Sequence, residues 1–252
     1  MSKNSPLEIS HALLAALSTK IFRYYEDRIP EDASYIVVSN HRSFLDAPIL
    51  MASLGRPIRF ACHHYMGQVP IMREIVTEQL GCFPLDSKER SQHSFLQQSQ
   101  ALLRSNQLVG VFPEGTAPMV KYTSPNHMSE FHRGFAHLAL RTQFEDIYQS
   151  PLAILPVALA SLAEVTTSTV PLKLLSLFDP SEPLFNQAGW HPLVIYQRVA
   201  VLIGRPFWIK PQHRQQYQGK QAKAIVEEIT NHCRGEIASM LLDAPRPSNV
   251  KV

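Results

Sequence analysis

The sequence predicts a single α/β domain, built on a largely parallel, mixed sheet flanked by helices. Three observations predict it. Short apolar runs of strand length, such as Tyr35-Ile36-Val37-Val38, alternate with segments whose apolar residues recur at helical spacing. Strands alternating with helices imply parallel strands with helices on both faces. The chain of 252 residues, 45% apolar and 18% charged, is globular in composition and long enough to bury a sizeable core.

The elements come in order along the chain. Leu7, Leu14, Leu17, Ile21 and Tyr25 sit at helical spacing with Lys20 and Arg23 among them, which predicts an amphipathic helix over residues 7–25. Such a helix either packs on the core or lies on a membrane surface. Residues 1–30 are thus expected to form this helix and a linker, residues 31–243 the body of the domain, and residues 244–252 a disordered tail. The first strand covers 35–38 and ends at Ser39; a second covers 58–61. A helix over 71–80 stops at Gly81, and a third strand comes next at 82–85. Residues 91–104 form a helix with Phe95, Leu96, Leu102 and Leu103 on one face, and 108–112 the next strand. A helix over 131–140 begins near Arg133-Gly134; strands are expected at 152–158 and 199–203. Ala222, Ile225, Ile229, Cys233, Ile237 and Met240 mark a long closing helix that fades by Pro245. Residues 161–197 read as irregular: short apolar segments either packed against the sheet or rimming a lipid-access site.

Composition excludes several classes. A formal charge of +3, with Lys and Arg scattered, gives no case for nucleic acid, though it is compatible with anionic lipid or an acidic carrier protein. Cys62, Cys82 and Cys233 have no metal-like spacing, so free thiols in a reducing compartment are expected. His63-His64 and His127, His132 and His137 lack companion cysteines or acids, so no metal site is expected. Asn4, Glu8 and His11 interrupt the region where a signal peptide needs its apolar core. The longest uncharged apolar stretch, residues 147–163, is short for a spanning helix and contains Pro151 and Pro156. The expected location is cytoplasmic, with peripheral association at a membrane surface.

Directly behind the first strand lies Asn40-His41-Arg42-Ser43-Phe44-Leu45-Asp46-Ala47-Pro48. An imidazole titrates near neutral pH, and a carboxylate beside it fixes its tautomer and steadies its positive charge. His41 is therefore the candidate base and Asp46 its orienter, a pairing suited to removing a proton from an alcohol. No Gly-x-Ser-x-Gly motif is present, and Ser43 has no second base near it in sequence, so it reads as a helix-start hydroxyl. A second polar turn, Glu114-Gly115-Thr116, comes after the strand at 108–112, and its glycine lets the backbone approach a small polar acceptor. Both turns lie just past strand ends, and ligands of such sheets bind beyond the carboxyl ends of the strands, so the two are expected to share one crevice.

The His41/Asp46 block, then Gly81-Cys82-Phe83-Pro84-Leu85-Asp86, Val111-Phe112-Pro113-Glu114-Gly115-Thr116 and Ile154-Leu155-Pro156-Val157, resemble the four sequence blocks of the glycerolipid acyltransferases. The resemblance runs from Tyr35 to Pro206. It implies a glycerol-3-phosphate acyltransferase-like fold and an O-acyltransferase acting without an acyl-enzyme or cofactor. Acyl carrier protein or coenzyme A thioesters would be co-substrates, and lysophosphatidic acid the leading acceptor. It implies catalytic roles for His41 and Asp46, acceptor contacts for Glu114, Gly115, Thr116 and Arg133, and a pocket-shaping role for Pro156. Two arginines common in lysophosphatidate acyltransferases are replaced here by Ser87 and Ala117. Neither substitute supplies an arginine fork for phosphate. Lys88 and Arg90 are close enough to compensate in part, or else form a solvated start to the next helix. The alternatives are an acyltransferase for a non-phosphate lipid alcohol, a phospholipid-dependent transacylase, and a non-catalytic lipid-binding relative.

Overall fold

The computed structural model describes residues 5–67, 73–86, 90–115, 123–125, 127–143, 151–171 and 190–245. In it the apolar runs pair into one mixed sheet of eight strands: β1 (Lys20–Tyr24), β2 (Ser34–Ser39), β3 (Ile58–Cys62), β4 (Phe83–Pro84), β5 (Leu108–Val111), β6 (Leu152–Pro171), β7 (Trp190–Ile203) and β8 (Phe207–Trp208). Their spatial order is β1-β7-β6-β2-β5-β3-β4, with β8 also on β6. Every pair is parallel except β6 with β7 and β6 with β8.

Alternation along the strands sorts the core into two layers. Ile36 and Val38 of β2 join a cluster with Phe95 and Leu103 of α3 (Ser91–Arg104), Phe135 and Leu138 of α4 (Gly134–Gln143), and Ile229 and Cys233 of α6 (Ala222–Leu242). Tyr35 and Val37 face the other way, onto Leu14 of α1 (Pro6–Ala16) and Ile49, Leu50 and Leu54 of α2 (Asp46–Leu54). Ile36, Val37 and Val38 are wholly buried, each contributing roughly 1.5–3 kcal/mol of transfer free energy. The central strand is thus held from both faces, and its carboxyl end is a rigid base for the polar turn that begins at Asn40.

The structure departs from the sequence expectations in four places. The helix expected over residues 7–25 is shorter. It starts at a capping box between Ser5 and Glu8 with Pro6 in its first turn, and ends at Ala16. Ser18 then takes a left-handed backbone (φ 53), and the Thr19 hydroxyl donates to the Tyr196 carbonyl at 2.8 Å. Lys20–Tyr24 becomes strand β1, in register from Lys20 on Arg198 to Tyr24 on Leu202. The stretch expected to be helix and linker thus also supplies a strand of the sheet, and Ile21-Phe22-Arg23-Tyr24 has the β-branched and aromatic content that favours one.

The second departure is between residues 161 and 197. Strand β6 continues to Pro171 and β7 begins at Trp190, forming a long antiparallel ribbon with register shifts near Ser161–Glu164 and Ser168–Val170. The third concerns 71–80, where the described part is a wide π-type coil, Arg73–Gln79, and the strand after it is only Phe83–Pro84. The fourth is an unexpected helix, α5 (Pro211–Gln218), with Pro211 at its start. The expected tail beyond Pro245 lies outside the described residues. Among the described residues, no helix is long and apolar enough to cross a membrane.

Pro156 sits in the middle of this sheet, opposite Val38 of β2. A proline has no amide for the ladder. It is tolerated because β6 changes its outer neighbour there, from β8 at Ala153 and Ile154 to β7 from Val157 onward. Its carbonyl accepts from the Gly204 amide at 2.8 Å. Gly204 is required at that approach, since a Cβ would fall 2.9 Å from the same carbonyl oxygen.

Candidate active site

The turn after β2 carries the polar groups, and the strand beside it, β5, ends at the same height. Asn40 continues the pairing of β2 with its side chain: Nδ2 donates to the Leu159 carbonyl at 3.0 Å and Oδ1 accepts from the Leu159 amide at 2.8 Å. The chain then folds around one carboxylate oxygen. Asp46 Oδ2 accepts from His41 Nδ1 at 2.8 Å, from the Arg42 amide at 2.7 Å and from the Ser43 amide at 2.8 Å. Asp46 is wholly buried at the first residue of α2. Three donors and the positive end of the helix dipole offset the cost of burying its charge. The Ser43 hydroxyl donates to the Val194 carbonyl of β7 at 2.6 Å and accepts from the Leu45 amide. It is a tether between the turn and the ribbon.

The His41 ring is fixed on its face as well as its edge. It stacks on Phe112, with centroids 4.0 Å apart and planes 11° from parallel, and Phe112 stacks in turn on Phe60. Gly110 makes that stack possible, because any side chain at 110 would run into the Phe60 ring. With Nδ1–H given to Asp46, the lone pair is on Nε2. The side chain is 18% exposed.

Glu114 comes from the neighbouring strand end. A tight turn, closed by the Gly115 amide on the Phe112 carbonyl with Gly115 at φ 68, aims its carboxylate back at the sheet edge. Oε1 accepts from the His41 amide at 3.0 Å, and Oε2 accepts from the Ser129 amide. Glu114 is 4% exposed. The two turns expected to share a crevice are in direct contact.

A third carboxylate, Glu164 on the β6 ribbon, grips Arg42 in a fork: Nη1 to Oε2 at 2.8 Å and Nη2 to Oε1 at 3.0 Å. Arg42 Nη2 also donates to the Thr123 carbonyl. Burial alone would push the Glu164 carboxyl up, but the hydrogen bonds and charge of Arg42 hold it below the ordinary carboxylate range. Burial would likewise weaken Arg42's hold on its proton, and Glu164 outweighs it. Tyr196 of β7 is buried beside this group; burial, with the nearby Asp46 charge, pushes its phenol far above the usual range and keeps it protonated.

The remaining sequence candidates are scattered. Arg133 pairs with Glu227 of α6 at 2.9 Å and lines a polar recess with Thr230 and Arg234 that His41 and Asp46 do not line. Arg90 is exposed at the start of α3, beyond β4, three strands along the same carboxyl edge from His41. Pro156 is buried in the sheet. Thr116 and Lys88, with Ser87 and Ala117, lie outside the described residues. Sequence reasoning missed Arg42, Phe112, Ser129, Glu164 and Tyr196. Only Arg42 and Phe112 had a signal, as neighbours inside the blocks. Among the described residues, no group of three His, Cys, Asp or Glu is placed to hold a metal ion.

The family model for Acyltransferase matches residues 20–160, over half the chain, and the chain belongs to that family. Among solved structures it is similar to the 1-acyl-sn-glycerophosphate (LPA) acyltransferase PlsC from Thermotoga maritima. The likeness has a TM-score of 0.54 at 17% identity and covers 95% of this chain and 79% of that one. At that identity it is a likeness of fold. No curated protein matches the chain.

Proposed function

We propose that this acyltransferase moves a fatty acyl group from a thioester of acyl carrier protein or coenzyme A to a hydroxyl of a glycerolipid, with lysophosphatidic acid giving phosphatidic acid as the leading reaction. The observation that carries this reading is the 2.8 Å bond from His41 Nδ1 to Asp46, which leaves Nε2 as an oriented base. The acceptor hydroxyl gives its proton to Nε2 as its oxygen forms a bond to the thioester carbonyl carbon. The tetrahedral intermediate collapses, the carbon–sulfur bond breaks, and the departing sulfur takes the proton from His41 Nε2 and leaves as the thiol, which restores the neutral base. Asp46 steadies the imidazolium between the two proton transfers. A positioned base of this kind is worth about 10²–10⁴ in rate. Direct transfer is supported by Ser43, whose hydroxyl already donates to Val194.

Gly115, Thr116, Lys88 and Arg90 are assigned to the acceptor side, and Glu114 to the boundary between the two turns. The acceptor is taken from a membrane surface, where Phe44, 42% exposed three residues from His41, is an apolar contact at the crevice. A second reading, an uncharged lipid alcohol as acceptor, is favoured by the pairing of Arg133 with Glu227, which turns that cation away from a phosphate.

A panel of acceptors offered with one acyl thioester, with products identified by mass, tests the proposal. Phosphatidic acid is the expected product. An ester of an uncharged alcohol supports the second reading. Product formed only when phospholipid replaces the thioester marks a transacylase, and no product with any donor leaves only a lipid-binding relative.

A further inference from the structure

We infer that Glu114 is a positioning residue that holds the His41 backbone in place, instead of a ligand for the acceptor. This rests on the reading of His41 as the base. At the end of β2 the main chain leaves the sheet ladder, so the His41 amide needs a partner, and a buried amide without one is costly. Glu114 Oε1 supplies it at 3.0 Å, and Oε2 binds the Ser129 amide. One nearly buried carboxylate thus ties the turn that carries the base to the loop after β5. The loop is pinned near Glu114 by the His132 amide on the Pro113 carbonyl at 2.8 Å. It is pinned again where Arg42 Nη2 meets the Thr123 carbonyl at 2.8 Å. Each oxygen already faces an amide, and the turn closed by Gly115 points the side chain inward. Were His41 to shift by an ångström, its stacking on Phe112 and its bond to Asp46 would both loosen.

Glu114→Gln preserves volume but places an NH2 against one of the two amides, donor facing donor. The expected result is a fall in kcat of about a hundredfold, the scale of an ångström misplacement, with the KM for acceptor unchanged. Hydrolysis of the thioester by water, measured without acceptor, falls in parallel, because the same base is misplaced. A raised acceptor KM with kcat and water hydrolysis intact would overturn the inference. Amide hydrogen exchange supplies a readout that needs no substrate: His41 and Ser129 should exchange faster in the variant while β1 amides stay as in wild type. Unchanged protection at His41 also overturns it. If wild type transfers no acyl group but the exchange pattern is as expected, the proposed reaction fails and the brace stands. Glu114→Asp, which keeps the charge but is one methylene shorter, serves if the glutamine variant does not fold. It should lose kcat, and a change in acceptor KM alone would contradict the brace.

Discussion

Around His41, the turn after β2 is bonded on every side: Asn40 to β6, Ser43 to β7, Arg42 to Glu164, and the His41 ring to Asp46. Along the same sheet edge, toward β4 and α3, Arg90 is exposed, and Arg133 is drawn off to α6 by a half-exposed pair. The first region is built for one geometry, with one buried carboxylate on the His41 imidazole and another on its backbone amide. The second holds, among the described residues, one exposed arginine and one half-exposed arginine in an ion pair. On the proposed reading the difference teaches that chemistry and acceptor choice are separate problems: proton transfer would be preorganised by the fold, whereas selection of the acceptor would be left to surface side chains.

That contrast can be broken by substitution on either side, beginning with the largest effect. Asp46→Asn keeps the shape of the dyad, but an amide cannot steady an imidazolium. The expected loss in kcat is about a hundredfold with both KM values little changed, as steady-state kinetics would show. Arg42→Met takes the ion-pair partner from the largely buried Glu164 carboxylate, whose side chain is 12% exposed, and should cost about 3 kcal/mol of stability, read from denaturant unfolding. The pair also predicts a pH dependence. The Glu164 carboxyl is held below its ordinary value of 4.5, so its contribution is complete above that value and is lost as pH falls through the lowered one. Glu164→Gln should flatten this acid limb of the stability curve, and an unaltered limb would argue against the pairing. Arg133→Ala should be the mildest, costing under about 1 kcal/mol because both partners are half exposed. Its effect on the KM for lysophosphatidic acid, compared with that of Ala117→Arg, sharpens the contrast. A fall in KM with Ala117→Arg is expected for a phosphate-bearing acceptor, and a flat response for an uncharged one.

The parallel half of the sheet was legible because its strands are buried on both faces. Tyr35-Ile36-Val37-Val38 and Leu108–Val111 can be little else, and their ends place His41 and Glu114 side by side. Strand β1 was hidden because Leu17, Ile21 and Tyr25 also satisfy a helical period, and what ends the helix is the backbone at Ser18 together with a tether to β7. The β6–β7 ribbon was hidden for a different reason. Its far part stands in solvent, with Val165, Thr166, Thr167 and Trp190 exposed, and its register shifts blur any alternation. Within the site, the dyad could be read because its two members are neighbours in sequence. Arg42 and Glu164 lie 122 positions apart and Tyr196 further still, so nothing local announces that they meet. Glu114 was found, but its partners are backbone amides, which no residue type reveals.

The central claim is that Nε2 of His41 takes the proton from the acceptor hydroxyl. It is tested most directly by His41→Ala, assayed with acyl thioester and lysophosphatidic acid, with phosphatidic acid quantified by mass and unfolding measured in parallel. The expected variant unfolds like wild type and forms product at least about a hundredfold more slowly. A well-folded His41→Ala protein with near-normal turnover would contradict the claim.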